Sequence, residues 1–328
     1  MLIVAAALAL AVAAGLPVAA QTPARMPAVG VLSVGPEATT AARMGRQAFE
    51  QGLNELRWIP GRTIRLDYRY ADGRQERLDE LARTLAGAGL DVIVARATPA
   101  IRAMKRATTT IPIVMSAAGH DPVQLGLVAS LAKPGGNITG LTLLNQELPV
   151  KQLQLLKEVV PQLSRVIVLG SRGFPMPSRG QRAVDAAARS LGVQLHRVDI
   201  ATIAELDDAL ARLAGTAGSG LVVRSDPFVL EPNTKQVVAS AVKHRLPAVY
   251  WLHTYTQAGG LMCYGADLFE VHRRSAYFVD RILRGARPMD LPIEEPSKFT
   301  LIVNLKTARA LNLTMPASIL ARADELIQ

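Results

Sequence analysis

The sequence is short of cysteine, of aromatic residues and of long apolar runs. One cysteine, Cys263, among 328 residues excludes an intrachain disulfide and every zinc cluster of the CxxC type. Aromatics make up 4% of the chain. Basic residues outnumber acidic ones by 37 to 27, and arginine dominates them, yet they never form a run longer than two. A nucleic-acid-binding arm would cluster those charges and interleave aromatics among them, so no nucleic-acid partner is expected. Past the first twenty residues nothing is apolar enough to enter a membrane. Catalytic signatures are missing as well: there is no GxSxG, HExxH, GxxxxGK[ST] or GxGxxG, and the five histidines show no ligand spacing. No metal and no cofactor are expected.

What is present is ordinary globular composition, 49% hydrophobic and 20% charged, with 25 Gly and 20 Pro. This excludes disorder and collagen-like repeats, and at roughly 150 residues per domain it suggests two domains. Residues 2–14 form an uninterrupted apolar run, followed by Gly15, Pro17 and Val18-Ala19-Ala20. Small residues at −3 and −1 suit a signal peptide cleaved after about Ala20, although no Lys or Arg precedes the run. An exported, periplasmic protein is expected, and the absence of a cysteine after the run excludes a lipoprotein anchor.

Apolar runs and helical periodicities then alternate. Residues 28–33 read as a buried strand, and Phe49, Leu53 and Leu56 mark a helix. Residues 63–70 alternate apolar and polar, as a half-buried strand near a sheet edge does. Asp72 is placed to cap a helix carrying Leu78, Leu81 and Leu85. Strands follow near 91–95, 111–115 and 138–142, with helices opening at Pro99 and Pro122. The pattern begins again with a helix over 146–160 and strands at 165–170, 193–198, 220–224, 246–251 and 261–265. One intervening helix carries Ile203, Leu206, Leu210 and Leu213. A long helix (about 268–284) and a strand–helix unit (about 299–311) follow. Two α/β halves with parallel, doubly wound sheets are the expected architecture.

Ligands of such sheets bind beyond the carboxyl ends of strands, where helix N-termini point free N–H groups outward. The residues at those ends are Ser33, Thr98, Ser116 and Asp121 in the first half, and Ser171, Ser225, Asp226, Trp251 and Asp267 in the second. Thr98-Pro99 reads as a cap and first helical residue, suited to a carboxylate or to capping alone. Asp121-Pro122 and Asp226-Pro227 read as helix openers, and Asp267 as a cap or an acceptor for an ammonium. Half of the 14 aromatics fall within residues 250–278. Among them Trp251 and Tyr255 are placed either to face a cleft or to pack in a core, while Tyr277 and Phe278 belong to a helix.

Several segments resemble one family. GHDPVQLGLVASLAKPGGNITG (119–140) is similar to a stretch typical of the substrate-binding proteins of ABC importers, in the family with tryptophan- and tyrosine-binding members. DVIVARATPA (91–100), TTTIPIV (108–114), YGADLFE (264–270) and FTLIVNLKTARALNLTMPASIL (299–320) support it. The resemblance implies a type I periplasmic binding protein, two Rossmann-like lobes with parallel sheets joined by a three-crossover hinge. Lobe one is expected at 28–143 plus 268–290, and lobe two at 144–267 plus 291–328. The resemblance also implies a monomer, not an enzyme, working with an inner-membrane ABC permease and its ATPase. Thr98 matches the position that holds a ligand carboxylate, and Asp267 the one that receives an amine, with Leu268 replacing the usual aromatic. Asp121 matches the DPV block, His120 departs from it, and residues 171–177 depart from the usual asparagine–proline loop. Arg96 stands where small or amide residues are common and favours a more acidic ligand. The expected ligand is a small zwitterion or carboxylate, its anionic end at Thr98 and any amine at Asp267. A ligand-sensing module for a signalling receptor would share this fold. An exported hydrolase would instead need Ser, His and a carboxylate within hydrogen-bond reach in the cleft.

Overall fold

The computed structural model describes residues 25–143, 148–176, 178–212 and 218–328. The leader read at residues 1–20, and Leu213 of the apolar stripe, lie outside the described residues. The first half runs β1 (Ala28–Ser33), α1 (Thr40–Glu55), β2 (Arg65–Tyr70), α2 (Gln75–Ala86), β3 (Val92–Arg96), α3 (Ala97–Ala107), β4 (Ile113–Ala118) and β5 (Ile138–Thr142). The second runs α4 (Leu148–Val159), β6 (Arg165–Ser171), α5 (Ser178–Ser190), β7 (Gln194–Ile200), α6 (Leu206–Ala211), β8 (Ser219–Val223), α7 (Thr234–Lys243), β9 (Ala248–Tyr250), α8 (His253–Gln257) and β10 (Met262–Ala266). Then follow α9 (Leu268–Leu283), β11 (Phe299–Asn304), α10 (Leu305–Ala310), α11 (Ala317–Arg322) and β12 (Glu325–Ile327).

These strands make two sheets, and each is covered on both faces. The first is parallel throughout, in the order β2-β1-β3-β4-β5. Its inner strands β1 and β3 are buried along their whole length, which is why AVGVLS and VIVAR read as continuous runs. The alternating β2 lies at its edge, half-buried as the pattern requires. Phe49, Leu53, Val271 and Phe278, from α1 and α9, pack on one face, while Leu78, Leu85, Ile101 and Met104, from α2 and α3, pack on the other. α9 crosses α1 so closely that a Cβ on Gly52 would lie 2.4 Å from the Arg273 carbonyl oxygen.

The second sheet has the order β12-β11-β10-β9-β8-β6-β7, with α4, α5, α10 and α11 on one face and α6, α7 and α8 on the other. It is not wholly parallel, because β10 and β11 pair antiparallel. The cause is the chain's path. It leaves β10 for α9 beside the first sheet, and residue Glu294 pairs next to β5 before the chain re-enters the second sheet from that side. Together with the passage from β5 to α4, the chain crosses between the two halves three times.

Two expected features are corrected here. No helix opens at Pro122. Asp121 Oδ1 accepts from the Val123 and Gln124 amides at 2.9 and 3.3 Å, and Gly126, at φ +65°, ends the segment after a single turn. Asp72 does not cap the next helix. It sits at φ +53°, two residues before the Arg74 cap, and pairs with Arg77 instead.

The register slip of β4 between Met115 and Ala118 is matched by Gly140 on β5, at φ +120°. A Cβ there would lie 2.2 Å from the Met115 carbonyl oxygen and 2.6 Å from its amide nitrogen. Backbone cannot yield as a side chain does, so Gly140→Ala is expected to destabilise the chain by about 2–4 kcal/mol. The check is urea unfolding, with the midpoint moving to lower concentration at unchanged slope.

Candidate functional site

Between the two sheets lies a hollow of about 130 Å³, where the carboxyl ends of β1, β3 and β4 face those of β8 and β9. Its walls are mainly apolar: Val34, Pro36 and Leu143 on one side, Phe174, Leu252 and Leu268 on others. Three buried polar atoms on these walls have no hydrogen-bond partner among the described residues. They are Ser33 Oγ, Arg96 Nε and Trp251 Nε1. Buried polar groups are normally paired, so three unsatisfied atoms on one small cavity mark a place for something else.

Arg96 ends β3 and is only 7% exposed. Its Nη2 donates to the Gly45 carbonyl oxygen at 2.9 Å, and no carboxylate among the described residues forms an ion pair with it. Burial lowers its proton affinity below the ordinary arginine value. Gly45 allows this approach, because a Cβ there would lie 3.1 Å from Arg96 Nη1 and 2.9 Å from His272 Cδ2. His272, on α9, shares a 2.7 Å hydrogen bond between Nδ1 and Ser116 Oγ. Burial, with the neighbouring Arg96 charge, holds its pKa well below the usual histidine value, so it is neutral.

The cavity's carboxyl is Glu231, in the turns after β8. It is partly buried, and its side chain has a donor in the backbone N–H of Asp226. Its neighbour Asp226 has several. Asp226 Oδ1 accepts from the amides of Phe228, Val229 and Leu230 at 3.0, 2.6 and 3.2 Å, and Oδ2 accepts from Ser171 Oγ. Negative charge therefore resides on Asp226. Withdrawal from water and the Asp226 charge push Glu231 up to about 8 from its ordinary 4.5.

The residues read from the sequence divide among three places. Ser33, Arg96, Ser225 and Trp251 line the cavity. Thr98 and Asp121 lie on a neighbouring groove with Arg102 and His120. Ser116, Ser171 and Asp226 stand behind the wall, holding His272 and the 226–230 turn. The capping reading of Thr98 is corrected: α3 opens at Ala97 and its cap position is Arg96. Thr98 Oγ1 instead accepts from the His120 amide at 3.2 Å and fixes the loop after β4. Asp226 likewise closes a turn, since the next helix starts only at Thr234.

Asp267 does cap its helix, accepting from the Glu270 amide at 3.2 Å, and it also pairs with Lys298 at 3.2 Å. It is not among the residues lining the cavity. Tyr255 is fully buried, stacked on Tyr250 with centroids 4.8 Å apart, and so faces the second core rather than the cleft.

Sequence reasoning misses Glu231, His272 and Met44, while it places His253 with Trp251 after the strand at 246–251. His253 Nε2 lies 3.3 Å from Met44 Sδ, joining α8 to α1 across the cavity mouth. His120, from the first half, lies 3.3 Å from the Pro175 carbonyl oxygen and sets its ring edge-on to Phe174 at 4.3 Å. The one faint signal was Glu231 itself, an acid between Pro227 and Pro232 just after a strand.

A Ser–His pair in the cleft invites a hydrolase reading, but its third member is wrong. The charged group beside His272 is a guanidinium, which opposes the proton uptake that a carboxylate would support. Among the described residues, no group of three or more His, Cys, Asp and Glu is placed to hold a metal ion.

A family described as ABC transporter substrate binding protein matches residues 34–327. A protein of Clostridioides difficile described as a tyrosine-binding protein is 25% identical over 275 residues, covering 82% of this chain and 76% of its own. The crystal structure of a conserved domain protein from Vibrio cholerae superposes with a TM-score of 0.84 at 26% identity, covering 92% of this chain and 100% of its own. An ABC domain from Streptococcus pneumonia in complex with L-Trp gives 0.82 at 24% identity, over 92% and 99%.

Glu231 carries a pH signature. Between about pH 4.5 and 8 the native chain holds a proton on this carboxyl that the unfolded chain has released. Stability attributable to Glu231 therefore falls as pH rises through that window, by up to about 1.4 kcal/mol per pH unit. Urea unfolding across the window is expected to show this slope in the natural chain and to lose that component in Glu231→Gln.

Proposed function

Because the chain belongs to the family of ABC transporter substrate-binding proteins, we propose that it captures a small organic acid, amino acids included, and delivers it to an inner-membrane permease driven by an ATPase. The acid is held between two lobes, read from the sequence as residues 28–143 with 268–290 and residues 144–267 with 291–328. The packing of Leu291 and Ile293 in the first lobe's core and the pairing of Glu294 beside β5 move the last boundary past Glu294. Consistent with this division, α9 packs on α1 while β11 and β12 extend the second sheet. The leader read at residues 1–20 supports export to the periplasm, where such a protein meets its solute.

The observation that carries the reading is Arg96. A guanidinium that is 7% exposed and has no carboxylate partner is costly to keep dry. A ligand carboxylate supplies the missing charge. Trp251 and Phe174 offer flat apolar surface for the body of such a ligand. The relatives described as binding tyrosine or solved with L-Trp are in keeping with an acid of that size.

The reading is tested by calorimetry on the mature chain with small aromatic acids and amino acids. Arg96→Met is expected to weaken the bound acid by about 2–5 kcal/mol, since one partner of a buried charge pair is lost. The same change is expected to leave the empty protein as stable or more stable. An acid that binds Arg96→Met as tightly as the natural chain would remove the basis for this reading.

A further inference from the structure

Resting on the reading of the cleft as an acid-binding site, we infer that Phe174 sets its size limit, a fixed partition that confines the acid on Arg96 to one aromatic ring. Three hollows lie between the two halves. One, of about 130 Å³, holds Arg96; a second, of about 140 Å³, reaches Gln152 and Phe299; the third is the groove of about 650 Å³ with Thr98 and Asp121. Among the described residues Phe174 is the one that lines all three. It follows β6 in the second half, yet it is only 8% exposed, because its ring reaches across to the first half. There the His120 ring meets it edge-on at 4.3 Å, and a Cβ on Gly119 would lie 4.0 Å from its Cζ.

The main chain that carries this ring is pinned on both sides. The Phe174 amide donates to the Ser171 carbonyl oxygen at 3.2 Å, and the Phe174 carbonyl oxygen accepts from Arg224 Nη2 at 2.7 Å. Arg224 is held in turn by Asp199 at 3.0 Å. Gly170 leaves the space for it, since a Cβ there would lie 2.2 Å from Arg224 Nη1. The Pro175 carbonyl oxygen lies 3.3 Å from His120 Nε2, and Phe228 flanks the ring at 6.4 Å between centroids. A side chain supported in this way acts as a wall.

The chambers on its two sides are each sized for one ring. An apolar cavity of about 150 Å³ holds a benzene, and these measure about 130 and 140 Å³. Trp251 lines both, so it offers one continuous surface along which a longer aromatic acid would lie. Arg96 lines only the first. An acid anchored there fills that chamber with one ring, and a second ring in line with it meets Phe174. The wall thus selects by clash against larger acids rather than by a contact to smaller ones.

Pairs of acids that differ by one ring test this on the mature chain by calorimetry. Phenylacetate is set against 4-biphenylacetate, and L-phenylalanine against L-4-phenylphenylalanine, so that acids with and without an amine are both covered. In each pair that binds, the one-ring member is expected to bind the natural chain at least about tenfold more tightly. In Phe174→Ala the two-ring member is expected to bind as tightly as its partner or more so, with Phe174→Leu between. Calorimetry reads the folded fraction of a variant as stoichiometry, apart from affinity. Natural chain that binds the two members alike, or a two-ring member that gains no ground in either variant, overturns the inference. The acid-binding reading then still stands if Arg96→Met abolishes binding of the one-ring acid. If no member of either pair binds the natural chain or the Phe174 variants, both fail.

Discussion

A charged side chain kept out of water without a partner is among the costlier things a fold can hold, and Arg96 is such a side chain. Much around it depends on tolerating that charge. Gly45 lacks the Cβ that would push the guanidinium away and offers its carbonyl oxygen instead. His272 gives up protonation because it is buried, with the arginine charge beside it, and Ser116 holds the neutral ring in place. The surrounding walls are mainly apolar, and Arg96 is the one guanidinium among the residues that line them. In a low-dielectric pocket a charge acts more strongly on its neighbours than it would in water.

The second lobe's wall is arranged around the same asymmetry from the other side. Its permanent negative charge, Asp226, is turned inward to the 226–230 turn and to Ser171. Glu231, next in line and withdrawn from water beside that charge, is pushed toward its neutral form. Among the described residues, the halves touch across the mouth through a histidine on a thioether, a ring edge on Phe174 and Phe228 against the first lobe's core. Contacts of this kind are individually weak.

Much of the fold was legible because its signals are local. Parallel interior strands must be buried on both faces, so AVGVLS and VIVAR announced themselves, and the alternating β2 announced a sheet edge. The restart of the strand–helix alternation at residue 148 separated the halves. Local signals also misled. Pro122 and Pro227 looked like helix openers, yet the aspartate before each spends its side chain on the next amides and makes a turn. Thr98 looked like a cap, but β3 runs straight into α3 at Ala97, and the hydroxyl was drawn to the loop after β4.

The amino-acid sequence by itself determined the class of fold, the strand ends at which a site had to lie, and the presence there of an arginine where a small residue is usual. Periodicity and strand-end chemistry are properties of neighbouring residues, and a sequence states them directly. Which acid lines the cavity and which is engaged elsewhere was decided only by the tertiary structure. Asp267 met Lys298, 31 residues on, Ser171 met Asp226, 55 residues on, and Ser116 met His272, 156 residues on. The protonation of a carboxyl depends on the donors and charges that folding brings to it, and those come from residues that no local pattern connects.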